Sequence, residues 1–458
     1  MQRQENMRRI CLRWLAASSL LLAAMCTSAA TRPRYGGTLR ISTSAVLNSI
    51  DPGEAPDSLL RRNLTRLLFD TLVVVDENGA IQPSLADSWN SSSAGQRWQF
   101  TLRHGITFSD GSALTSDVVA AALRMANPTW RVISQGDLVT IELETAVLDF
   151  PAELSLSRNA ILRRGDKLLG TGPFVMSQWE PRHRLVLAAR DDYRDGRVFL
   201  DSIELEMGKP QREQNITFDL GRTDVIDIAP DQARRAAGEG RRLVNSSPSE
   251  LMVLWFARDA QSEVERKLRE ALAMSIDRPL MNRVLLQNDG EAAASLLPTW
   301  MTGYGFAFSA DANQARAKQL RTEAGPARTW ALGYDNDDAL ARVVAERILL
   351  NARDAGLSVQ TTLSASADIR LIRIPLTLTN ERTELSELFS AMGISPIKLS
   401  SSNVESVYSA ENTFLQSRRV IPLLHLRYVS GISASVQNWS VGRDGSWDVQ
   451  EVWLSGRQ

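Results

Sequence analysis

The sharpest alternation of apolar and polar positions lies in residues 97–103. Trp98, Phe100 and Leu102 are separated by single polar residues, which is the spacing of a strand with one buried face. A short turn at His104 and Gly105 follows, and Ile106 and Phe108 then predict a second strand. The pattern therefore predicts a half-buried strand, a tight turn and a second strand.

The residues that follow the second predicted strand indicate the start of a helix. Asp110 and Gly111 are typical turn residues. Thr115 is placed to accept a hydrogen bond from a free backbone N–H in the first helical turn. Asp117 adds negative charge at the positive end of that helix. We therefore expect a strand, a tight turn and a helix in one continuous segment.

Similar patterns elsewhere predict both kinds of element. Strands are expected at residues 37–43, 138–143 and 185–189, and helices at residues 59–68, 264–274 and 340–355. No internal repeat is present, and strands and helices do not alternate strictly. This mixture favours an α/β fold of two lobes that are linked by crossing strands, with a ligand bound between the lobes.

Composition and charge narrow the class of protein. The chain has 458 residues, of which 43% are hydrophobic, so it is long enough to bury a sizeable core. Its 52 Lys and Arg residues nearly balance its 53 Asp and Glu residues. This balance argues against binding to nucleic acid or to an anionic membrane, which requires a basic excess.

The N-terminus has the order of an export signal. Arg8 and Arg9 precede a short apolar run at residues 14–25, and small residues follow at 28–30. We expect a signal peptide over residues 1–30 and a soluble periplasmic protein. The twin-arginine route and lipid anchoring at Cys26 stay open as alternatives. Because Cys11 and Cys26 are the only cysteines, the mature chain is expected to have no disulfide.

Residues that would carry chemistry are scarce. The three histidines, His104, His183 and His425, occupy no nucleophile elbow and no metal-binding helix pattern. We expect structural roles for them, no catalytic residues, no metal and no cofactor, and hence a protein that is not an enzyme. The glycines of GTGPF at residues 170–174 lack a following GK[ST] and predict a bend between lobes, not a phosphate loop.

Several segments resemble a known family. LADSWNSSSAGQRWQFTLRHGITFSDGSALTSDVV, at residues 85–118, resembles the signature of the family 5 extracytoplasmic solute-binding proteins, the peptide and nickel binding components of ABC importers. Similar blocks follow the family's order: RYGGTLRIS at 34–42, GTGPF at 170–174, KLREALAMSIDRPLM at 267–281 and ARAKQLRTEAG at 315–325.

The resemblance implies an α/β fold, the two-lobed periplasmic-binding-protein clamp (type II), with an abbreviated extra subdomain. The first lobe would comprise residues 31–60, 165–247 and 431–458, the extra subdomain residues 61–164, and the second lobe residues 248–430. The C-terminal stretch with Trp439, Trp447 and Trp453 would return to the first lobe.

The resemblance also implies a function. The protein would be a monomeric binding component that captures a peptide-like or other small solute and delivers it to ABC permease subunits in the membrane. A sensing or partner-binding module with a degenerate cleft is the alternative. The lack of paired histidines disfavours the nickel branch of the family.

The resemblance points to ligand-binding residues on both lobes. A loop before residues 49–52 aligns with the family loop whose main chain pairs with an extended peptide, and three aromatic residues would form apolar walls, one of them, Trp255, near the crossing between the lobes. These candidates are Ala45, Val46, Leu47, Asn48, Trp255, Trp300 and Tyr304. After Gly356 the chain lacks the family's acidic-aromatic motif, so an N-blocked peptide, an opine or a sugar is as good a candidate as a free peptide.

Overall fold

The computed structural model describes residues 32–54, 57–76, 78–326, 328–363, 366–395, 399 and 403–456. The predicted signal peptide, with Cys11 and Cys26, lies outside these residues. No helix in the described part of the chain has both the length and the apolar character needed to cross a membrane.

Twelve helices of α type are present in the described residues, and most begin at a residue whose side chain caps the first turn. Ser58, Thr115, Ser262, Asn380 and Asn403 each accept a backbone N–H in this way. The helices are α1 (Leu59–Leu68), α2 (Ser116–Ala126), α3 (Phe150–Leu154), α4 (Gln211–Asp219), α5 (Ala233–Gly238), α6 (Glu263–Ser275), α7 (Arg278–Leu285), α8 (Thr299–Thr302), α9 (Gln314–Ala324), α10 (Ala339–Asp354), α11 (Glu381–Ala391) and α12 (Val404–Gln416).

The strands of the described residues are short except for two. They are β1 (Thr38–Ser42), β2 (Val73–Val75), β3 (Ile81–Pro83), β4 (Ala86–Ser92), β5 (Arg97–Leu102), β6 (Arg131–Gln135), β7 (Leu138–Glu142), β8 (Phe174–Glu180), β9 (Arg184–Ala189), β10 (Ser202–Glu206), β11 (Val225–Asp227), β12 (Arg242–Phe256), β13 (Glu291–Ala292), β14 (Trp330–Gly333), β15 (Val359–Thr362), β16 (Ile369–Pro375), β17 (Val420–Ile432), β18 (Val436–Gln437), β19 (Ser440–Val441), β20 (Trp447–Asp448) and β21 (Trp453–Leu454).

One mixed sheet runs through both lobes. Its strand order is β15-β14-β16-β12-β17-β11-β1-β10-β9-β8, and β13 pairs with β17 outside this path. The two long antiparallel strands, β12 and β17, extend through both lobes. In the first lobe β17 pairs with β11, and in the second lobe β12 pairs with β16. The predicted pair of lobes joined by crossing strands is therefore confirmed.

The pairing of β12 with β17 is irregular where the strands pass between the lobes. Its register shifts between Asn245 and Pro248 and again between Pro248 and Glu250. Proline has no N–H to donate to a neighbouring strand. These irregularities leave the crossing less tightly paired than the sheet on either side, which suits a hinge.

Each unit has its own core. The first-lobe core combines β1, β9 and β10 with the leucines of α1 and with Trp439 and Trp447 of the C-terminal stretch. A separate core between residues 72 and 161 surrounds Phe100, Phe108 and Phe150 in the extra subdomain. Because α1 packs in the first-lobe core, we place the start of the subdomain near residue 72. The other predicted domain bounds stay predictions.

The second lobe buries both faces of its part of the sheet. Met252, Leu254 and Phe256 face the core formed with α6, α9 and α10. Leu251 and Val253 point to the opposite side and face the core formed with α11 and α12. Successive side chains of a strand point to opposite faces, so β12 is apolar on both.

The predicted elements are largely present. The helix at 59–68 has the predicted bounds, and the other predicted helices and strands differ by at most one residue at each end. Thr115 caps α2 as expected, accepting from the N–H of Val118 at 3.4 Å. The prediction of a second strand at Ile106 and Phe108 is wrong. Ile106 and Phe108 are buried, but this stretch forms only an isolated bridge between Thr107 and Ala113, because β5 pairs with β4 and β7 instead.

Candidate functional site

A cavity of about 670 Å³ lies where the two lobes and the extra subdomain meet. This volume falls in the range of small-molecule sites in proteins. The first lobe contributes Arg62, Arg66, Phe69, Arg443 and Trp447, the subdomain contributes Val74, Asp76, Ser157 and Arg158, and the second lobe contributes Thr377, Leu378, Glu387 and Ser390. The cavity is thus walled by segments that are far apart in sequence.

Two arginine–carboxylate pairs join the extra subdomain to the second lobe. Arg158 donates to Glu387 across the boundary at 2.6 Å. Arg382 of the second lobe donates to Asp149 of the subdomain at 2.8 Å. Charge-assisted hydrogen bonds of this kind are stronger than neutral ones. These pairs connect the extra subdomain directly to the second lobe.

A buried arginine makes a further contact between the lobes. Arg62, on α1 of the first lobe, donates to the carbonyl oxygens of Leu376 at 2.5 Å and Pro375 at 3.2 Å in the second lobe. Its Nε donates to Asp57 at 2.5 Å. Because a buried arginine needs acceptors for its N–H groups, α1 is bound directly to the segment that follows β16.

That segment contains a buried acid. The carboxylate of Glu384, on α11, accepts from the N–H and hydroxyl of Thr377 at 2.8 and 2.6 Å and from the N–H of Leu378 at 2.6 Å. Its other oxygen, Oε1, is buried without a partner among the described residues. Burial raises the pKa of Glu384 to about 7, although the nearby Arg62 opposes the shift.

This pKa shift predicts a pH dependence of stability. A carboxyl group whose pKa is higher in the folded state holds its proton more tightly there, so its favourable contribution is complete below pH 4.5 and is lost as the pH rises through about 7. Glu384→Gln cannot ionise. We therefore expect the stability of Glu384→Gln relative to the wild type to rise between pH 4.5 and 7 and to level off above that, measured by denaturant unfolding.

The comparison of Glu384→Gln with the wild type isolates the effect of ionising Glu384. Burial lowers the pKa of His425 to about 4, so His425 destabilises the folded protein as the pH falls below 6.5. Both proteins contain His425, and its effect cancels in the difference. Glu405→Gln, at an exposed position on α12, serves as the control. A stability difference independent of pH in the Glu384→Gln series would contradict the assignment.

A second polar cluster lies at the crossing strands. Asp227, at the end of β11, accepts from the hydroxyl of Thr43 at 2.6 Å, the N–H of Ser44 at 3.2 Å and the hydroxyl of Tyr428 at 3.2 Å. Tyr428 in turn accepts from the indole N–H of Trp447 at 3.2 Å. Burial raises the pKa of Asp227, and its hydrogen bonds and the charge of Arg373 oppose this rise. The cluster connects the start of the predicted peptide-pairing loop to the hinge and to a residue that lines the cavity.

The loop predicted to pair with a peptide lies directly after this cluster. The carbonyl oxygens of Ala45 and Leu47 already accept from the N–H groups of Gly208 and Arg182, at 3.2 and 2.8 Å. The side chain of Leu47 is buried in the first-lobe core, whereas Val46 is 39% exposed. Asn48 accepts from the guanidinium of Arg182. These bonds fix the loop on the first lobe, and pairing of its main chain with a ligand stays a prediction.

The N–H of Val46 offers a test of that prediction. Val46→Pro removes this donor, and we expect it to weaken binding of the captured solute about tenfold if a ligand carbonyl accepts from it. Val46→Ala keeps the donor and should bind as the wild type does. Calorimetric titration of both folded variants measures the difference. Equal affinity in the two variants would exclude this loop as a pairing edge.

Trp255 does not lie where the sequence suggested. It is the second-last residue of β12, at the end of the strand that points away from the crossing, and it pairs with Arg370 and Val420. There it lines a separate cavity of about 450 Å³ with Phe256, Arg269 and Arg328. The expectation that Trp255 lies near the crossing between the lobes is therefore wrong, because β12 continues through the whole second lobe.

Tyr304 is buried inside the second lobe. Its ring packs edge-on against Phe308 and Tyr408, and its hydroxyl donates to Glu411 at 2.7 Å. Burial raises the pKa of Tyr304. These contacts assign the hydroxyl to the lobe core, so the structure does not bring Tyr304 together with Trp255 or with the loop at residues 45–48.

Trp300 is the predicted aromatic residue that reaches the boundary between the lobes. The guanidinium of Arg443, from the first lobe, lies 4.2 Å from the centre of its ring. Sequence reasoning missed Arg443, and it missed Arg62, Arg158 and Glu384 as well. A weak signal existed for Arg443, since it stands in a Gly-Arg-Asp-Gly turn.

The histidines occupy the structural positions that were predicted. His104 is exposed in a turn, His183 lies in the charged turn between β8 and β9, and His425 is buried with its Nε2 3.0 Å from the carbonyl oxygen of Leu296. Among the described residues, no three or more His, Cys, Asp and Glu side chains are grouped to hold a metal ion.

The fold and this cavity define a two-lobed clamp, and comparison with known structures identifies its type. The chain is similar to the oligopeptide-binding protein AppA of Bacillus subtilis, solved with a nonapeptide, with a TM-score of 0.78 at 16% identity over 93% of this chain and 100% of that one. It is also similar to a dipeptide-binding protein of a Pseudoalteromonas species in complex with Met-Leu, with a TM-score of 0.79 at 17% identity over 92% and 100% of the two chains. The fold is that of the type II periplasmic binding proteins.

The sequence comparison identifies the family. Residues 80–372 match the model of the bacterial extracellular solute-binding proteins, family 5. The chain belongs to this family. It is 25% identical over 383 residues to the glutathione-binding protein GsiB of Pectobacterium atrosepticum, covering 76% of this chain and 73% of that one. It is 23% identical to AppA over 65% of this chain, and the matched region spans 61% of the length of AppA.

Proposed function

We propose that this protein is the solute-binding component of an ABC importer, which captures a peptide-like or other small solute between its lobes and delivers it to a membrane permease. The observation that carries the proposal is the cavity of about 670 Å³ walled by both lobes and the extra subdomain. Family membership supports it, because the relatives named above are binding proteins for peptides and small solutes.

The crossing strands supply the motion that capture requires. The irregular pairing around Pro248 lets β12 and β17 bend, and bending there separates the second lobe from the first. Opening would break the contacts of Arg62, Arg158 and Arg382 across the boundary. A solute that contacts both lobes binds the closed form better than the open form. Binding of the solute therefore favours closure.

The proposal includes a location and partners. The protein would be exported by a signal peptide at residues 1–30 and act in the periplasm as a monomer. It would contact ABC permease subunits in its closed form, and it would bind no nucleic acid. Its cavity would bind a solute without turning it over.

Native mass spectrometry of the protein purified from its own cells tests this function. We expect a population whose mass exceeds that of the mature chain by one small solute, and the solute should be released unchanged on denaturation. Recovery of a chemically converted solute would favour an enzyme. A protein that never carries a solute and binds a macromolecular partner instead would favour the alternative of a partner-binding module.

A further inference from the structure

Arg443 stands out among the charged residues that line the interlobe cavity. The other arginines there each have a carboxylate partner: Arg62 with Asp57, Arg66 with Asp444, Arg158 with Glu387 and Arg194 with Asp70. Within the described part of the chain, the guanidinium of Arg443 forms no hydrogen bond and no ion pair. Among the described residues it is therefore the one arginine of the cavity wall whose N–H groups are uncommitted to the protein.

The carboxylate next to it in sequence is already occupied. Asp444 accepts from the N–H and hydroxyl of Ser446, at 3.1 and 2.6 Å, and forms an ion pair with Arg66 at 3.1 Å. These bonds close the tight turn between β19 and β20 that carries Arg443. The turn also packs on α1, since a Cβ at Gly445 would lie 3.1 Å from Leu59. Arg443 thus projects from a rigid turn, and Asp444 is not available to neutralise it.

Trp300 fixes the orientation of the guanidinium. The carbon at the centre of the guanidinium lies 4.2 Å from the centre of the indole ring, which is the geometry of a cation–π contact. A guanidinium in contact with an aromatic ring still has N–H groups at its edge that can donate to a ligand. These edge donors match the two oxygens of a carboxylate. The contact also joins the lobes, because Arg443 belongs to the first and Trp300 to the second.

The charge of the surrounding wall limits the ligand further. Glu54, Asp76 and Asp448 also line the cavity and form no ion pair within the described part of the chain. A ligand with several negative charges would be repelled by them. A solute with a single carboxylate, neutral or amine-bearing elsewhere, satisfies both Arg443 and the acidic wall.

We propose that Arg443, in cation–π contact with Trp300, binds a carboxylate of the captured solute when the clamp closes. This inference rests on the proposed function and names the chemical class of its substrate. A carboxylate bound by Arg443 would also keep the guanidinium in place for its contact with Trp300. Because that contact joins the two lobes, binding of the carboxylate would favour closure.

Titration calorimetry with paired probes tests the inference. The probes are free and N-acetylated dipeptides, each as the C-terminal acid and as the C-terminal amide. We expect the wild type to bind at least one acid about 10- to 100-fold more tightly than its amide. Arg443→Gln should lose this discrimination by weakening binding of the acid alone, and Arg443→Lys should keep part of it.

Arg212→Gln, at an exposed position on α4, is the matched control and should bind as the wild type does. Thermal unfolding of each variant checks that it is folded. Equal binding of acid and amide by the wild type, binding of no acid, or unchanged binding of the acid by Arg443→Gln would each overturn the carboxylate site. A neutral solute found in the purified protein would overturn it too, while the capture function would stand.

Discussion

Gly170→Ala is expected to prevent folding or to lower the free energy of unfolding by more than about 3 kcal/mol. A Cβ at this position would lie 1.9 Å from the carbonyl oxygen of Leu68 and 2.4 Å from the ring of Phe69. Neither group can move aside easily, because Leu68 is the last residue of α1, whose leucines pack in the first-lobe core, and Phe69 follows it directly. The carbonyl of Leu68 also accepts from the N–H of Gly172 at 3.1 Å.

The measurement is the yield of soluble protein and its denaturant unfolding curve, beside a matched variant. Gly238→Ala adds the same methyl group at the end of α5, where no atom of the described residues lies within 4 Å, and it should be neutral or slightly stabilising. An unfolding curve of Gly170→Ala that overlies that of Gly238→Ala would show that the close approach to α1 is not essential. The glycines of GTGPF thus allow dense packing of the chain on α1, whereas the sequence suggested a bend between lobes.

Glu411→Leu is expected to destabilise the protein by about 3 to 5 kcal/mol. Glu411 lies on α12 and is fully buried. Its carboxylate accepts from the N–H groups of Leu296 and Leu297 and from the hydroxyl of Tyr304. Leucine has a similar size but accepts nothing, so three buried donors would lose their partner.

Two further variants separate this loss from the effect of changing the helix. Glu411→Gln keeps an oxygen for the two N–H groups, and we expect it to retain most of the stability. Glu405→Leu changes an exposed position of the same helix and should alter the stability by no more than about 0.5 kcal/mol. Denaturant unfolding at neutral pH measures all three. If Glu411→Leu were as stable as Glu405→Leu, the carboxylate would not support this loop.

Local patterns predicted most of the elements, because their causes lie within a few residues. The helix at 59–68 carries its leucines on one face and a capping serine before it, and these signals suffice to set its bounds. The alternation of Trp98, Phe100 and Leu102 likewise predicted β5. The stretch with Ile106 and Phe108 was wrongly predicted as a strand because its composition is that of a strand. A strand also requires a pairing partner, and the local sequence does not specify one.

The cavity was much harder to predict, because it is formed by contacts between distant residues. Arg62 meets Leu376 across 314 positions, and Arg443 meets Trp300 only once the second lobe has folded between the crossing strands. The aromatic residues were predicted as ligand contacts from their type and from the resemblance to the family. Tyr304 shows that an aromatic residue of a loop can instead be part of the core of a lobe. Its hydroxyl donates to the buried carboxylate of Glu411.

Small-angle X-ray scattering of the solute-free protein, before and after addition of the solute identified by native mass spectrometry, tests most directly whether the clamp closes on its ligand. The account predicts a smaller radius of gyration when the cavity is filled, because β12 and β17 bend around Pro248 and the contacts of Arg62 and Arg158 form across the boundary. Tight binding of that solute with an unchanged radius of gyration would contradict the account.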